Sequence, residues 1–154
     1  MLRKMYLKKI KNLDKYAKLA ILVIILGILL RFALVVPYQI AGDACWHMSN
    51  AKFIAVNNKI PLYESLGRDQ PFWSPPMFHI IAAIFYKVFN IFGSSAAEFG
   101  IKLVSPLFGS LSLIFIYLIF RRLFDEKISL YGVIFIAFLP MSIDYSIFGY
   151  ADGM

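Results

Sequence analysis

Two aspartates are the side chains of this sequence best suited to acid–base chemistry. Asp43 follows Gly42 soon after the first long apolar run, and His47 lies one helical turn later on the same face. Asp152 lies near the end of the sequence, and Asp144 competes with it for any such role. A carboxylate accepts a proton from a nucleophile, or stabilises positive charge that develops at a reacting carbon. Each aspartate also has a structural interpretation, as an N-cap for Asp43 and as a solvated loop acid for Asp152.

Basic side chains form a second group of candidate ligands, because they could bind a phosphate. Arg68 lies in a turn before Asp69-Gln70-Pro71, and a guanidinium pairs with a phosphate through two hydrogen bonds. Lys102 begins an apolar run, at the depth where a lipid phosphate would lie. Arg31 interrupts the first apolar run. It either reaches the outer interface by snorkelling or places a cation near a lipid phosphate.

The sequence indicates a metal site only weakly. Asp43 and His47 could form a metal-binding pair, but no third ligand has the right spacing. A divalent metal is a candidate cofactor, and no cofactor is certain. Cys45 is the single cysteine, which excludes a disulfide framework, and we expect it to be a small buried side chain rather than a nucleophile. Four aromatic residues are expected to form an interfacial belt rather than a stacking surface for a ligand: Trp46, Phe72, Trp73 and Phe78.

The composition indicates that these residues belong to an integral membrane protein. Of 154 residues, 60% are hydrophobic and 16% are charged. A typical soluble domain has about 45–50% hydrophobic residues and about 25% charged residues. These values exclude a disordered chain and most soluble folds. The net charge is +7, and residues 1–18 carry +6 of it, from seven basic residues and Asp14. This pattern favours a cytoplasmic basic arm over a nucleic-acid binder.

Four apolar runs follow the basic arm, and charge decides how they are expected to cross a membrane. The turn at 121–127 contains Arg121-Arg122 and should face the cytoplasm, like the arm. An even number of the three intervening runs must therefore cross. The run at 77–92 is short and contains His79 and Lys87, so it is expected to lie at the interface.

The resulting prediction is an all-α fold with three transmembrane helices and a long first outer loop. We expect the chain to be part of a longer polytopic protein, inactive by itself. The expected segments are a basic arm at 1–18, transmembrane helices at 19–36, 102–120 and 128–148, an outer loop at 37–101 with interfacial helices at 43–57 and 76–92, a cytoplasmic turn at 121–127 and the start of a second outer loop at 149–154.

The order of these motifs resembles the membrane-embedded glycosyltransferases of the C superfamily. The nearest branch includes the dolichyl-phosphate-mannose–protein mannosyltransferases and the lipid A aminoarabinose transferases, and the resemblance covers about residues 29–154. The matching pieces are Leu30-Arg31-Phe32, Asp43 with His47, Ile60-Pro61-Leu62, Ser74-Pro75-Pro76-Met77, Phe92-Gly93-Ser94, Arg121-Arg122-Leu123-Phe124, and Leu139-Pro140 through Ser146 to Asp152.

This resemblance implies transfer of a sugar from a polyprenyl (dolichyl) phosphate carrier to a protein or lipid acceptor, on the extracytoplasmic face. It assigns the catalytic acid of the first outer loop to Asp43 and makes Asp152 the second candidate. His47, Arg68 and Lys102 are then candidate ligands for the phosphate or the sugar. The partners are the lipid-linked donor, the acceptor and the membrane, with no nucleic acid.

The sequence departs from the family pattern at three positions. Ala44 stands where a second acid is common, and Ser74 stands where a histidine usually precedes the two prolines. Met154 stands where the related oligosaccharyltransferases often have an acid. These departures weigh against a metal and against the oligosaccharyltransferase alternative. A non-enzymatic subunit or a transporter fragment is the alternative from another class, and polar residues in mid-span would favour a transporter.

Overall fold

A computed structural model describes residues 14–37, 42–63, 72 and 76–147 of the chain. Within these residues the secondary structure is helical, which confirms the expected all-α fold. Arg68, Trp73, Ser74 and Asp152 lie outside the described residues, as does most of the basic arm. The helices are α1 (Lys15–Val35), α2 (Asp43–Asn57), α3 (Pro76–Phe89) with a 3₁₀ turn (Asn90–Phe92), α4 (Ser94–Lys102), α5 (Val104–Leu123), α6 (Glu126–Phe138) and α7 (Pro140–Ile147).

Helix lengths agree with an integral membrane protein. Among the described residues, α1 has 21 residues and α4 with α5 forms a 30-residue stretch, and both are long and apolar enough to cross a membrane. Helices α6 and α7 meet at a 54° bend and make a third span if they are taken as one. The stretch at 76–92 is shorter. Three crossings with a non-crossing 77–92 segment therefore stay a prediction.

Helix α1 begins four residues before the expected apolar segment. The Asp14 side chain accepts a hydrogen bond from the backbone nitrogen of Tyr16, at 3.3 Å. This N-cap satisfies one of the donors that a helix start leaves without an intrahelical partner. The polar residues Lys15 and Lys18 consequently join the helix, although only the residues after them are continuously apolar.

Helices α1, α5 and α6 form a bundle, and the core contacts that they share define their relative directions. Near the start of α1, Ala20 and Ile24 share a core cluster with Tyr117 of α5 and with Leu130 and Val133 near the start of α6. Pairing the early part of α1 with the late part of α5 and the early part of α6 makes α1 and α6 parallel and α5 antiparallel.

The middle of the bundle is closely packed as well. A Cβ atom built on Gly27 of α1 would lie 3.0 Å from Leu113 of α5 and 3.2 Å from Ala137 near the end of α6. The glycine therefore allows the three helices to approach closely. Helices α1 and α6 are parallel, and Ser146 of α7 bonds to Arg31 of α1. Val35 at the end of α1 and Ile147 at the end of α7 therefore lie at the same end of the bundle.

Helices α2, α3 and α4 form a second cluster with the start of α5. Small side chains allow the close approach, and at Gly100 of α4 an added Cβ would come within 2.9 Å of Phe89. The sequence prediction treated residues 94–101 as the end of a loop, whereas they form α4 and lead into α5. The buried members of this cluster are Ala51, Ile54, Ala55, Phe78, Ala82, Ala83, Tyr86, Ala97, Ile101 and Val104.

Candidate functional site

Asp43 is the first residue of α2, and its side chain is exposed. The N-cap is Gly42, which has a φ of 60° and makes no side-chain cap bond. Glycine is suited to this positive φ, since an L side chain would be strained there. The N-cap interpretation of Asp43 is therefore wrong, because the residue lies inside the first helical turn. Its carboxylate lies at the positive end of the helix dipole and is open to a ligand.

His47, the residue one turn after Asp43, pairs with a second histidine across the helix interface. Its Nδ1 atom lies 2.9 Å from Nε2 of His79 in α3, and both rings are buried. A neutral imidazole carries one N–H, so one ring donates to the other. This bond joins α2 to α3 close to Asp43. The proposed role of His47 as a substrate ligand stays a prediction.

Aromatic rings surround the two histidines. Trp46 stacks on Phe72 with ring centres 5.8 Å apart, and His79 meets Trp46 edge-on at 5.6 Å. Phe78 meets the His47 ring at 5.7 Å. Trp46 and Phe78 are buried, so the expected interfacial belt is wrong for these two. We call Trp46, His47, Phe72, Phe78 and His79 the histidine–aromatic cluster, and it holds the start of α2 against α3.

Sequence reasoning missed His79 as a member of this site. The signal was present, because the sequence contains only two histidines and both fall in helices with many apolar residues. Polar side chains buried in such helices are expected to bond to each other. Their partnership nevertheless depends on how α2 packs on α3.

The packed face of α2 determines the exposure of Cys45, while the divalent metal stays a prediction. The buried residues Ala44, His47 and Ala51 follow helical spacing, and Cys45 lies off that face. Cys45 is exposed, so the expectation of a buried side chain is wrong. Among the described residues, no group of three or more His, Cys, Asp or Glu side chains is placed to hold a metal ion.

The predicted phosphate ligands have different positions in the fold. Lys102 is the last residue of α4 and is half-buried where α4 meets α5. It therefore lies inside a continuous helical stretch that begins at Ser94, rather than at its start. Arg68 and Asp152 fall outside the described residues, so their expected roles stay predictions.

Arg31 has neither of the positions expected from the sequence. Its side chain is fully buried, and its guanidinium bonds only to protein atoms of α1, α6 and α7 in the described contacts. It does not snorkel to an interface, and it is enclosed away from any lipid phosphate. Both interpretations of Arg31 are therefore wrong, because the bundle supplies internal acceptors.

An apolar groove lies between the end of α2 and the middle of α3. Its volume is about 290 Å³, and Lys87 donates a hydrogen bond to the Asn58 side chain at its rim. Ile54 lies 11 residues after Asp43, which is roughly 16 Å along a helix. The groove is thus too far from Asp43 to hold a group that reacts there. Its lining residues are Ile54, Asn58, Lys59, Ile60, Ile80, Ala83, Ile84 and Lys87.

Comparison with known proteins agrees with the resemblance noted in the sequence. The family model described as dolichyl-phosphate-mannose-protein mannosyltransferase matches residues 73–153, which is more than half of the chain. A protein named dolichyl-phosphooligosaccharide-protein glycotransferase 1, from Pyrococcus furiosus, is 31% identical over 115 residues. That alignment covers 72% of this chain but 12% of the relative, so the chain spans only a small part of its length. No solved structure matches.

These matches confirm the resemblance to membrane glycosyltransferases of the C superfamily. The apolar helices and the family together make the chain an integral membrane protein. The chain belongs to the dolichyl-phosphate-mannose-protein mannosyltransferase family.

Proposed function

We propose that this chain is part of a membrane glycosyltransferase that moves a sugar from a polyprenyl-phosphate carrier to a protein or lipid acceptor. The family membership carries this proposal. The family description and the name of the relative both refer to a dolichyl phosphate compound and to a protein, which supports a lipid-linked donor and a protein acceptor. The active face is extracytoplasmic in this proposal, because the basic arm keeps the N-terminus in the cytoplasm.

The arrangement of helix ends supports one cleft for the two aspartates. Helix α1 ends at Val35 and α7 ends at Ile147, at the same end of the bundle. Asp43 begins α2 eight residues after Val35, and Asp152 follows Ile147 by five residues in the sequence. Each acid therefore follows, in the sequence, a helix that finishes at this end of the bundle.

In the proposed reaction, Asp43 acts as the general base. Its carboxylate takes the proton of the acceptor hydroxyl or amide while the acceptor oxygen or nitrogen forms a bond to the anomeric carbon. The bond from that carbon to the phosphate oxygen breaks, and the lipid phosphate leaves with the electron pair. Arg68 and Lys102 are proposed to stabilise the departing phosphate, since cations favour its additional charge.

The donor sugar divides the proposal into two branches. The family description names a mannose carrier, whereas the name of the relative refers to an oligosaccharide carrier. We propose the single-sugar donor, because Met154 stands where the related oligosaccharyltransferases often have an acid. The oligosaccharyltransferase branch is the alternative within enzymes.

The test uses the full-length protein in sealed membrane vesicles, with a dolichyl-phosphate hexose and a dolichyl-linked oligosaccharide as separate donors. We expect transfer to an added peptide or lipid acceptor from the single-sugar donor, and only at the extracytoplasmic face. Transfer from the oligosaccharide donor alone would support the other branch. Absence of transfer from both donors, with correctly inserted protein, would contradict the proposed function.

A further inference from the structure

Arg31 is a buried cation whose described partners include no carboxylate. It is 0% exposed and lies in the half of α1 that approaches the ends of α6 and α7. Its Nη1 atom donates to the carbonyl oxygens of Gly27 at 3.0 Å and Ala137 at 3.2 Å. A buried charge without an acidic partner is costly, and in membrane proteins such residues usually serve function.

The partner on α6 explains why a cation is tolerated at this position. Leu139 has extended backbone angles and Pro140 has no N–H, so the helical hydrogen-bond ladder is interrupted between α6 and α7. The last carbonyl groups of α6 therefore lack intrahelical donors and carry partial negative charge. Arg31 donates to one of them, the carbonyl of Ala137, from the neighbouring helix.

The same guanidinium also bonds to α7, on the far side of the interruption. Nη2 donates to the Ser142 hydroxyl at 2.9 Å, and Nε donates to the Ser146 hydroxyl at 3.1 Å. The two serines are one turn apart, and Ser146 in turn donates to the Ser142 carbonyl at 2.6 Å. One side chain thus bonds to both helices that meet at the 54° bend.

Helix α5 contacts α7 beside Arg31. A Cβ built on Gly109 would lie 2.1 Å from the Ser146 hydroxyl oxygen, so the α5 backbone directly contacts the serine that Arg31 binds. The same Cβ would lie 3.5 Å from the Arg31 Nε atom, so Gly109 and Arg31 meet Ser146 side by side. A larger residue at position 109 would displace Ser146 without removing the charge of Arg31.

We propose that Arg31 is a positioning residue that holds the bend between α6 and α7. It thereby sets the direction of α7, the helix that precedes Asp152 in the sequence. The effect on sugar transfer rests on the proposed function, whereas the effect on the bend does not. Arg31 reaches the reaction only through α7, so it is not a catalytic residue.

The bend is tested by a distance in the full-length protein carrying Cys45→Ser. Nitroxide labels at Leu29 and Tyr145 report the position of α7 relative to α1. Tyr145 lies five residues after Pro140, the first residue of α7, which is about 7.5 Å along the helix, so a rotation of about 20° moves it by about 3 Å. We expect Arg31→Met to shift or broaden the distance by about this amount, with Arg122→Met, an exposed arginine, as the control.

Two further variants separate bonding from charge. Arg31→Gln keeps two N–H donors, so it should retain part of the native distance. If Arg31→Met does not accumulate, the double variant Ser142→Ala with Ser146→Ala removes the α7 acceptors and should give the same shift. An unchanged distance in Arg31→Met, or in the double serine variant, would overturn the proposal.

Kinetics provides a second readout that a loss of folded protein would not reproduce. Misplacement of a group by about 1 Å can cost about 10²-fold in rate. Per inserted molecule, we expect Arg31→Met to lower kcat by about 10²-fold with little change in the donor KM. An unchanged kcat would refute the effect on transfer. If the wild-type protein transfers no sugar, the proposed function fails, while the distance measurement still decides the role of Arg31 at the bend.

Discussion

Replacement of Asp43 by asparagine tests the proposed base with the smallest change of shape. The side chain lies in the first turn of α2, is exposed and is not the N-cap. The substitution removes the charge and leaves Gly42 in place as the cap. Any structural cost must therefore come mainly from the lost interaction with the helix dipole.

The two effects differ enough in magnitude to be separated. An acid in the first turn contributes about 0.3–1 kcal/mol through the helix dipole. Loss of a general base lowers the rate by about 10²–10⁴-fold, which corresponds to roughly 2.7–5.4 kcal/mol of barrier. We expect Asp43→Asn to accumulate normally in the membrane, with transfer reduced by at least about 10²-fold.

The assay is sugar transfer from a polyprenyl-phosphate donor by the full-length protein, normalised to the amount inserted. Glu98→Gln is the matched control, because Glu98 is an exposed acid of the neighbouring α4. Its ion pair with Lys52, at 3.3 Å, is half-exposed and contributes little. Near-wild-type transfer by Asp43→Asn would refute the base and move the role to Asp152. A matching loss in Glu98→Gln would show that the assay reports on folding.

Three further predictions address topology, completeness and packing. In a background without the native cysteine, Ser65→Cys and Met154→Cys should react with an impermeant thiol reagent added outside. Asp125→Cys should react only after permeabilisation. Reaction of Asp125→Cys from outside would mean that the run at 77–92 crosses the membrane. The isolated chain should show no sugar transfer, because it spans 12% of its relative's length, and robust transfer would contradict this. His79→Ala should destabilise the protein by about 1–3 kcal/mol, measured as a lower midpoint of thermal unfolding in detergent, because it leaves the buried His47 ring without the 2.9 Å bond; an unchanged midpoint would argue against that bond.

The sequence by itself determined the class of the protein and its local elements. Few charges and long apolar runs require helices that satisfy their own backbone groups in lipid, which is why the all-α membrane fold follows from composition. The first outer-loop helix was expected at 43–57, where α2 lies, because Gly42 and Asn58 are local signals for its ends. Motif order was sufficient to indicate the glycosyltransferase family.

Only the tertiary structure decided which polar side chains meet. His47 and His79 are 32 residues apart, and Arg31 and Ser146 are 115 residues apart. Helical periodicity tells which residues of one helix share a face, but partners on another helix depend on the packing of both. For the same reason the sequence suggested snorkelling for Arg31 and burial for Cys45. Inside the bundle, acceptors at the α6–α7 break hold the arginine, while the packed face of α2 leaves the cysteine exposed.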